Sequence, residues 1–338
     1  MSQDHVLLTG GAGFIGSHVA AELAMRNVVP VLLDNFANSR RSVIGRLERI
    51  TGHPVICEEA DILDADALAG VFARYPINAV VHFAALKAVG ESLERPLDYF
   101  QTNVSGLIGL MQAMQNAGVF TLVFSSSATV YGDTARLPIP ETAPLGYKNP
   151  YGFTKLACEQ VIEQAEEADN RWAIGRLRYF NPVGAHPSCL IGEDPNDSPN
   201  NLMPYIAKVA AGELPEVRIF GDDYPTPDGT GVRDYIHVCD LADGHLKSLD
   251  VLHREGRGHV VNLGTGRGHS VKEVVDAYSR AVGRDLPWSI HPRRDGDVAA
   301  NWADPACAMD LLGFQATRDL DDMCRSSWNW IQASAGRE

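Results

Sequence analysis

The sequence predicts an α/β protein in which a doubly wound parallel sheet, residues 1–180, is followed by a smaller C-terminal domain, residues 181–338. Three observations support this fold class. A glycine-rich segment separates the first apolar run from a helical pattern. After Asn181 the chain changes to loops dense in proline, asparagine, aspartate and glycine, which indicates a second, loop-rich unit. Short apolar runs recur through the first half, separated by stretches long enough for crossover helices: His5–Leu8, Val29–Leu33, Ala79–Phe83, Thr121–Phe124 and Ala173–Leu177.

The first strand, turn and helix predict a Rossmann-type dinucleotide site. Glycines between a strand and a helix permit a tight turn and bring a pyrophosphate close to the helix N-terminus. Asp34 ends the second strand, 18 residues after Gly16, where a carboxylate can accept hydrogen bonds from both adenosine ribose hydroxyls and repels a 2′-phosphate. NAD is therefore favoured over NADP, and the alternative is a glycine-rich turn without a cofactor. The turn residues expected at the cofactor are Gly10, Gly13, Phe14, Ile15 and Gly16.

Two further segments carry residue types that contact nucleotides. Asp61 and Ile62 follow the next apolar segment and are candidates for holding the adenine edge, although a solvated loop acid is the alternative. The segment Gly264–Gly268 is also glycine-rich, but it lies late in the chain and lacks the context of a strand and an acid. We interpret it as a structural loop.

Composition limits the partners of this chain. Its 43 acidic against 29 basic residues give a net charge of −14, which disfavours nucleic acid and anionic membranes as partners. No apolar run approaches 18 residues, and Met1–Leu8 has no basic segment before a long apolar one, so we expect a soluble, cytoplasmic protein. The cysteines form no C-x-x-C pair, so neither a disulfide framework nor a metal site is predicted.

Two separate motifs predict a catalytic group. Tyr151 and Lys155 share one face if their segment is helical, and Ser127 ends the apolar strand before it. Oxidising a secondary alcohol requires a base for the hydroxyl proton, and a nearby ammonium favours the phenolate of tyrosine. We therefore predict Tyr151 as the base, Lys155 as its electrostatic partner and ribose anchor, and Ser127 as the group that orients the substrate oxygen. Since the spacing alone arises easily by chance, the alternative is a tyrosine at the core edge beside a solvated lysine.

The motifs together resemble the extended short-chain dehydrogenase/reductase superfamily. Within it, segments along residues 6–330 resemble the UDP-glucose 4-epimerases: Phe83–Ser92, Ser125–Gly132, Arg178–Pro187, Asn200–Tyr205 and Asp228–His237. The resemblance implies a homodimer and NAD contacts that include Asn35, Asp61, Ile62, Phe83, Ala84, Lys87, Asn103 and Phe180. It implies UDP-hexose contacts at Ser127, Tyr151, Asn181, Asn201, Leu202, Arg233, Arg294 and Asp297, in which the two arginines meet the diphosphate.

The implied reaction has no net redox change. The 4-hydroxyl of the sugar is oxidised to a keto group and then reduced from the opposite face, which interconverts UDP-glucose and UDP-galactose. Sugar-nucleotide dehydratases are the first alternative, but they carry an Asp-Glu pair where this chain has Ala128 and Thr129. The second is a non-catalytic NAD sensor, which usually lacks the catalytic tyrosine. Asn301 stands where narrow-pocket epimerases have tyrosine, so N-acetylated sugars are possible further substrates, unless the side chain points away from the pocket.

Overall fold

The computed structural model describes residues 4–134, 136–194, 201–294 and 297–334. Its strands are β1 (His5–Thr9), β2 (Val29–Asp34), β3 (Ile56–Glu59), β4 (Ile77–His82), β5 (Thr121–Ser127), β6 (Ala173–Tyr179), β7 (Asn181–Val183), β8 (Val217–Phe220), β9 (Val232–His237), β10 (His259–Leu263), β11 (Gly268–Ser270), β12 (Trp288–His291) and β13 (Ala300–Asn301).

The helices connect these strands. They are α1 (Phe14–Met25), α2 (Ser42–Thr51), α3 (Ala65–Arg74), α4 (Val89–Glu94), α5 (Pro96–Tyr99), α6 (Gly106–Ala117), α7 (Pro150–Ala168), α8 (Leu202–Ala210), α9 (Val238–Glu255), α10 (Val271–Val282), α11 (Ala306–Leu312) and α12 (Leu320–Ser334). A π-helical turn, Phe100–Ser105, precedes α6, and a 3₁₀ turn, Ala128–Val130, follows β5.

The largest element is a parallel sheet of seven strands in the order β3-β2-β1-β4-β5-β6-β10. Side chains of β1 alternate between two cores because successive residues of a strand face opposite sides. Val6 and Leu8 pack with α1 and α9, while Leu7 packs with α3 and α6. The predicted doubly wound fold is confirmed, with helices on both faces of the sheet. Strand order reverses between β1 and β4, and ligands of such folds bind at that point.

The second half of the chain also contributes to the large sheet. Strand β10 pairs with β6 at the sheet edge, and α9 packs on the same face as α1. The domain boundary at residue 180 stays a prediction. Two elements after that boundary, β10 and α9, belong to the large sheet and its core.

A smaller unit lies beside the carboxyl ends of the large sheet. Its strand β9 pairs with β7, β11 and β13, and β8 pairs with β12. A separate core forms around α8, α10 and α12. Among the helices that the structure describes, none combines the length and apolarity that a membrane crossing requires.

Candidate active site

The carboxyl ends of β1, β4 and β5 open into a cavity of about 760 Å³ between the large sheet and the smaller unit. Three of the predicted site residues, Asp61, Asn103 and Asn301, are not among those lining the cavity. The predicted residues that do line it are Gly10, Gly13, Phe14, Ile15, Gly16, Asp34, Asn35, Ile62, Phe83, Ala84, Lys87, Ser127, Tyr151, Lys155, Phe180, Asn181, Asn201, Leu202, Arg233, Arg294 and Asp297.

The glycine loop lies at the point where the strand order reverses. Gly10 has φ +68°, and a Cβ added there would lie 2.8 Å from the backbone nitrogen of Ala84, so only glycine fits without strain. Gly13 is the N-cap of α1, and no side chain of the described residues caps this helix there. The first-turn N–H groups of α1 thus remain available to an anion. This donor set fits the pyrophosphate of a dinucleotide.

Asp34 connects the glycine loop to the loop that follows β2. One carboxylate oxygen accepts a hydrogen bond from the backbone nitrogen of Ala12 at 2.9 Å. The other accepts from the backbone nitrogen of Phe36 at 2.9 Å and the hydroxyl of Ser39 at 2.8 Å. A carboxylate has about four acceptor positions, so a ribose hydroxyl can still bind to this group.

Two predicted cofactor residues lie behind the cavity wall and position others. Asp61 accepts a hydrogen bond from the side-chain nitrogen of Asn35 at 2.9 Å, which orients that amide. Asn103 is buried; it accepts from the backbone nitrogen of Leu86 at 2.8 Å and donates to the hydroxyl of Thr154 at 3.0 Å. Asn103 therefore holds the loop after β4 against helix α7.

Ser127, Tyr151 and Lys155 converge at the end of β5. The side chain of Asn149 caps α7 by accepting from the backbone nitrogen of Gly152 at 2.8 Å, which places Tyr151 in the first helical turn. Lys155 follows one turn later, and its ammonium donates to the backbone oxygen of Ser125 at 2.7 Å. The Nζ atom lies 6.0 Å from the centre of the Tyr151 ring. Tyr151 and Lys155 thus lie one turn apart on α7, and both lie with Ser127 at the end of β5, as predicted.

Burial is the largest influence on the charges of this group. It raises the pKa of Tyr151 to about 12, against a hydrogen bond from Ser127 that lowers it. It also lowers the pKa of Lys155 to about 8. Burial thus disfavours the Tyr151 phenolate in the folded chain by itself. The role of Lys155 in favouring that phenolate stays a prediction.

The predicted diphosphate residues Arg233 and Arg294 line the cavity together with Asp297, and their part of it is the diphosphate end. Arg233 lies 3.3 Å from the carboxylate of Asp297, and the guanidinium of Arg294 lies 3.9 Å above the ring of Phe220. The neighbouring Arg293 instead pairs with Asp223 at 2.7 Å. Arg233 and Arg294 are therefore cations that line the same cavity as the glycine loop.

The other predicted sugar-nucleotide residues are held by backbone and side-chain contacts. The amide of Asn181 donates to the backbone oxygen of Asp234 at 2.9 Å. Leu202 begins α8, directly after Asn201. Asn301 of β13 pairs with Arg233 of the neighbouring strand β9. The side-chain oxygen of Asn301 is buried and has no hydrogen-bond partner among the described residues.

A family model described as the NAD dependent epimerase/dehydratase family matches residues 6–264. The chain belongs to this family. The predicted membership is confirmed, and so is NAD as the cofactor, since the family's description names it.

Individual members of the NAD dependent epimerase/dehydratase family are similar to this chain over nearly their whole length. The UDP-glucose 4-epimerase of Yersinia pestis is 51% identical over 96% of this chain and 97% of its own. A UDP-glucose 4-epimerase structure from Stenotrophomonas maltophila, with bound NAD and formylated UDP-arabinopyranose, is 51% identical, has a TM-score of 0.97, and covers 99% of this chain and 100% of its own. One from Bifidobacterium longum, in complex with NAD+ and UDP, is 50% identical with a TM-score of 0.95 and covers 98% and 99%.

Sequence reasoning missed two acids in the cavity wall of this family member. Glu193 accepts a hydrogen bond from Asn201 at 3.0 Å and from Lys87 at 3.5 Å. The next residue, Asp194, pairs with Arg40 at 2.9 Å. Adjacent acids on a loop give no local signal of function, because their partners come from distant parts of the chain.

The segment Gly264–Gly268 directly follows β10, a strand that the sequence analysis did not identify. Asp234 accepts from the backbone nitrogens of Thr265 at 2.9 Å and Gly266 at 3.0 Å. Because an internal carboxylate occupies these amides, the segment is held as a structural loop, as predicted.

Proposed function

We propose that this chain is an NAD-dependent UDP-glucose 4-epimerase, which interconverts UDP-glucose and UDP-galactose through a 4-keto intermediate. The observation that carries the proposal is a single cavity lined by the glycine loop, by Ser127, Tyr151 and Lys155, and by two arginines. Hydride chemistry and diphosphate binding therefore share one site. The names of the similar proteins support the same activity.

Proton transfer is assigned to Tyr151. Its phenolate oxygen takes the proton of the sugar 4-hydroxyl and becomes the neutral phenol, and Ser127 hydrogen-bonds the reacting oxygen. Bound NAD supplies the hydride acceptor and donor for C4, and its positive ring favours the phenolate. Lys155, whose pKa burial lowers to about 8, remains mostly charged near neutral pH and favours that phenolate as well. On the return step Tyr151 gives the proton back.

The substrate is anchored by its nucleotide end. Arg233 and Arg294 bind the diphosphate as charge-assisted hydrogen-bond donors, and Asp297 holds Arg233 in place. A firm grip on UDP and weaker contacts to the hexose allow the keto sugar to turn over without leaving the cavity.

Water elimination is the competing chemistry in this family. At the positions of the dehydratase acid pair, Ala128 is buried, and the hydroxyl of Thr129 donates to Ser127 at 3.0 Å. Neither side chain can supply the additional proton transfers that elimination requires. This supports epimerisation over dehydration.

The test is an incubation of purified protein with UDP-galactose and no added NAD, with the products resolved by chromatography. We expect UDP-glucose to accumulate to an equilibrium mixture while the bound cofactor is recycled. If product formed only when NAD was added, and in proportion to the NAD consumed, the protein would be a dehydrogenase instead.

A second substrate class is supported by Asn301. Its side chain is smaller than tyrosine and is not itself part of the cavity lining, but Asn301 pairs with Arg233 of the neighbouring strand, which does line the cavity. The side-chain oxygen of Asn301 has no hydrogen-bond partner among the described residues. We propose that UDP-N-acetylglucosamine is epimerised beside the simple hexose. A parallel incubation with UDP-N-acetylgalactosamine tests this, and no product from it would restrict the enzyme to simple hexoses.

The family resemblance further supports a homodimer in the cytoplasm. Exposed apolar side chains on α4, α5 and α6 give such a dimer a contact surface: Val89, Leu93, Leu97 and Ile108. Sedimentation would measure the oligomeric state, and Leu93→Glu should shift it to monomer. Cell fractionation tests the location.

A further inference from the structure

Tyr224 is held rigidly in the wall of the cavity. It is 7% exposed, and its backbone nitrogen donates to the oxygen of Gly229 at 2.9 Å. The guanidinium of Arg293 lies 4.1 Å from the ring centre on one side, and a Cβ at Gly221 would come within 2.6 Å of the ring. These contacts hold the ring of Tyr224 in the cavity wall.

The hydroxyl of Tyr224 is buried without a hydrogen-bond partner anywhere in the described part of the chain. An unsatisfied buried hydroxyl is costly to a folded protein, and native structures contain few of them. Such a group calls for a partner that arrives from outside the chain. Because Tyr224 lines the cavity, a ligand bound there is the candidate for that partner.

The charges around this hydroxyl identify the end of the cavity to which it belongs. Burial raises the pKa of Tyr224, and Asp297 acts in the same direction, against Arg293 and Arg233. The hydroxyl therefore stays protonated at neutral pH and acts as a donor. Two of these electrostatic neighbours, Arg233 and Asp297, are residues of the diphosphate end of the cavity. A neutral donor near the cations Arg233 and Arg293 matches an ionised phosphate oxygen.

Building on the proposed function, we infer that the Tyr224 hydroxyl donates a hydrogen bond to a phosphate oxygen of the UDP-sugar. The contact completes the grip on the diphosphate that Arg233 and Arg294 begin. Tyr224 is thereby a substrate-binding residue that sequence motifs did not identify.

The test variant is Tyr224→Phe, which keeps the ring, its packing and the stacked Arg293. Loss of a hydrogen bond to a charged acceptor should raise Kd for UDP and KM for UDP-galactose by about 10- to 100-fold, with a smaller effect on kcat. The thermal stability of the ligand-free protein should stay level or rise, because the change removes an unsatisfied buried group. Uridine, assayed as a competitive inhibitor, should bind the variant and the wild type equally.

Tyr75→Phe is the matched control. Its hydroxyl donates to Glu58 at 2.7 Å outside the cavity, so that variant should keep UDP affinity and lose no more than a little stability. Unchanged UDP affinity in Tyr224→Phe, or an equal loss for uridine and UDP, would overturn the inference. A wild-type protein that failed to bind UDP would overturn the proposed function itself, so the two failures are distinguishable.

Discussion

Replacing Lys155 by methionine should stabilise the cofactor-free protein at neutral pH while abolishing activity. Lys155 is 4% exposed, and burial lowers the pKa of its ammonium from the ordinary 10.5 to about 8. That pKa difference means that the charged ammonium destabilises the folded state by about 3 kcal/mol. Methionine has similar volume and no charge, but it forfeits the hydrogen bond to the oxygen of Ser125, worth about 1 kcal/mol. The expected net gain near pH 7 is about 2 kcal/mol.

The gain in stability from Lys155→Met should decrease as the pH rises. Below pH 8 both the folded and the unfolded chain carry the ammonium, so the wild type bears the full cost. Between pH 8 and 10.5 the folded chain releases its proton first, and the cost falls as pH rises. The stability difference between variant and wild type should therefore shrink to nearly zero at about pH 10.

The assay is urea unfolding near pH 7 and pH 10, on protein that has been unfolded, freed of nucleotide and refolded. Lys148→Met is the control, because Lys148 is partly exposed and pairs with Asp133 at the surface, 2.8 Å away. The stability of Lys148→Met should differ from that of the wild type by no more than about 1 kcal/mol, with little pH dependence. A Lys155→Met variant less stable than wild type near pH 7, or a difference that is constant with pH, would refute the reasoning.

Three further outcomes are expected. Tyr151→Phe should lower kcat by about 10²- to 10⁴-fold with UDP affinity retained, and near-normal turnover would remove Tyr151 from the base role. Glu193→Gln removes the charge that pairs with Lys87, a predicted NAD contact, while the amide oxygen can still accept from Asn201, so NAD release, followed by fluorescence, should accelerate by about 2- to 5-fold; an unchanged release rate would show that the charge of Glu193 does not help to retain NAD. Asn301→Tyr should lose epimerisation of UDP-N-acetylglucosamine and keep that of UDP-glucose in a chromatographic assay, whereas equal rates on the acetylated sugar would show that this side chain is not the gate.

The sequence by itself determined those features that depend on local chain geometry. Short apolar runs and crossover spacing predicted five strands of the large sheet, and all five are present. The glycines after β1 and Asp34 after β2 predicted the dinucleotide loop, because turn conformation and strand ends are local properties. Helical spacing predicted Tyr151 and Lys155 on one face of α7, and the doubly wound topology predicted that this face meets Ser127 at the end of β5.

Only the tertiary structure decided which groups are buried and which distant groups meet. Strand β3 has a weak apolar pattern because it is an edge strand, and β10 returns from the second half of the chain to the far edge. The pKa values of Tyr151 and Lys155 follow from burial, which no spacing reveals. The unpartnered hydroxyl of Tyr224 likewise exists only after folding. Desolvation and pairing depend on contacts between segments far apart in sequence, so local patterns carry no record of them.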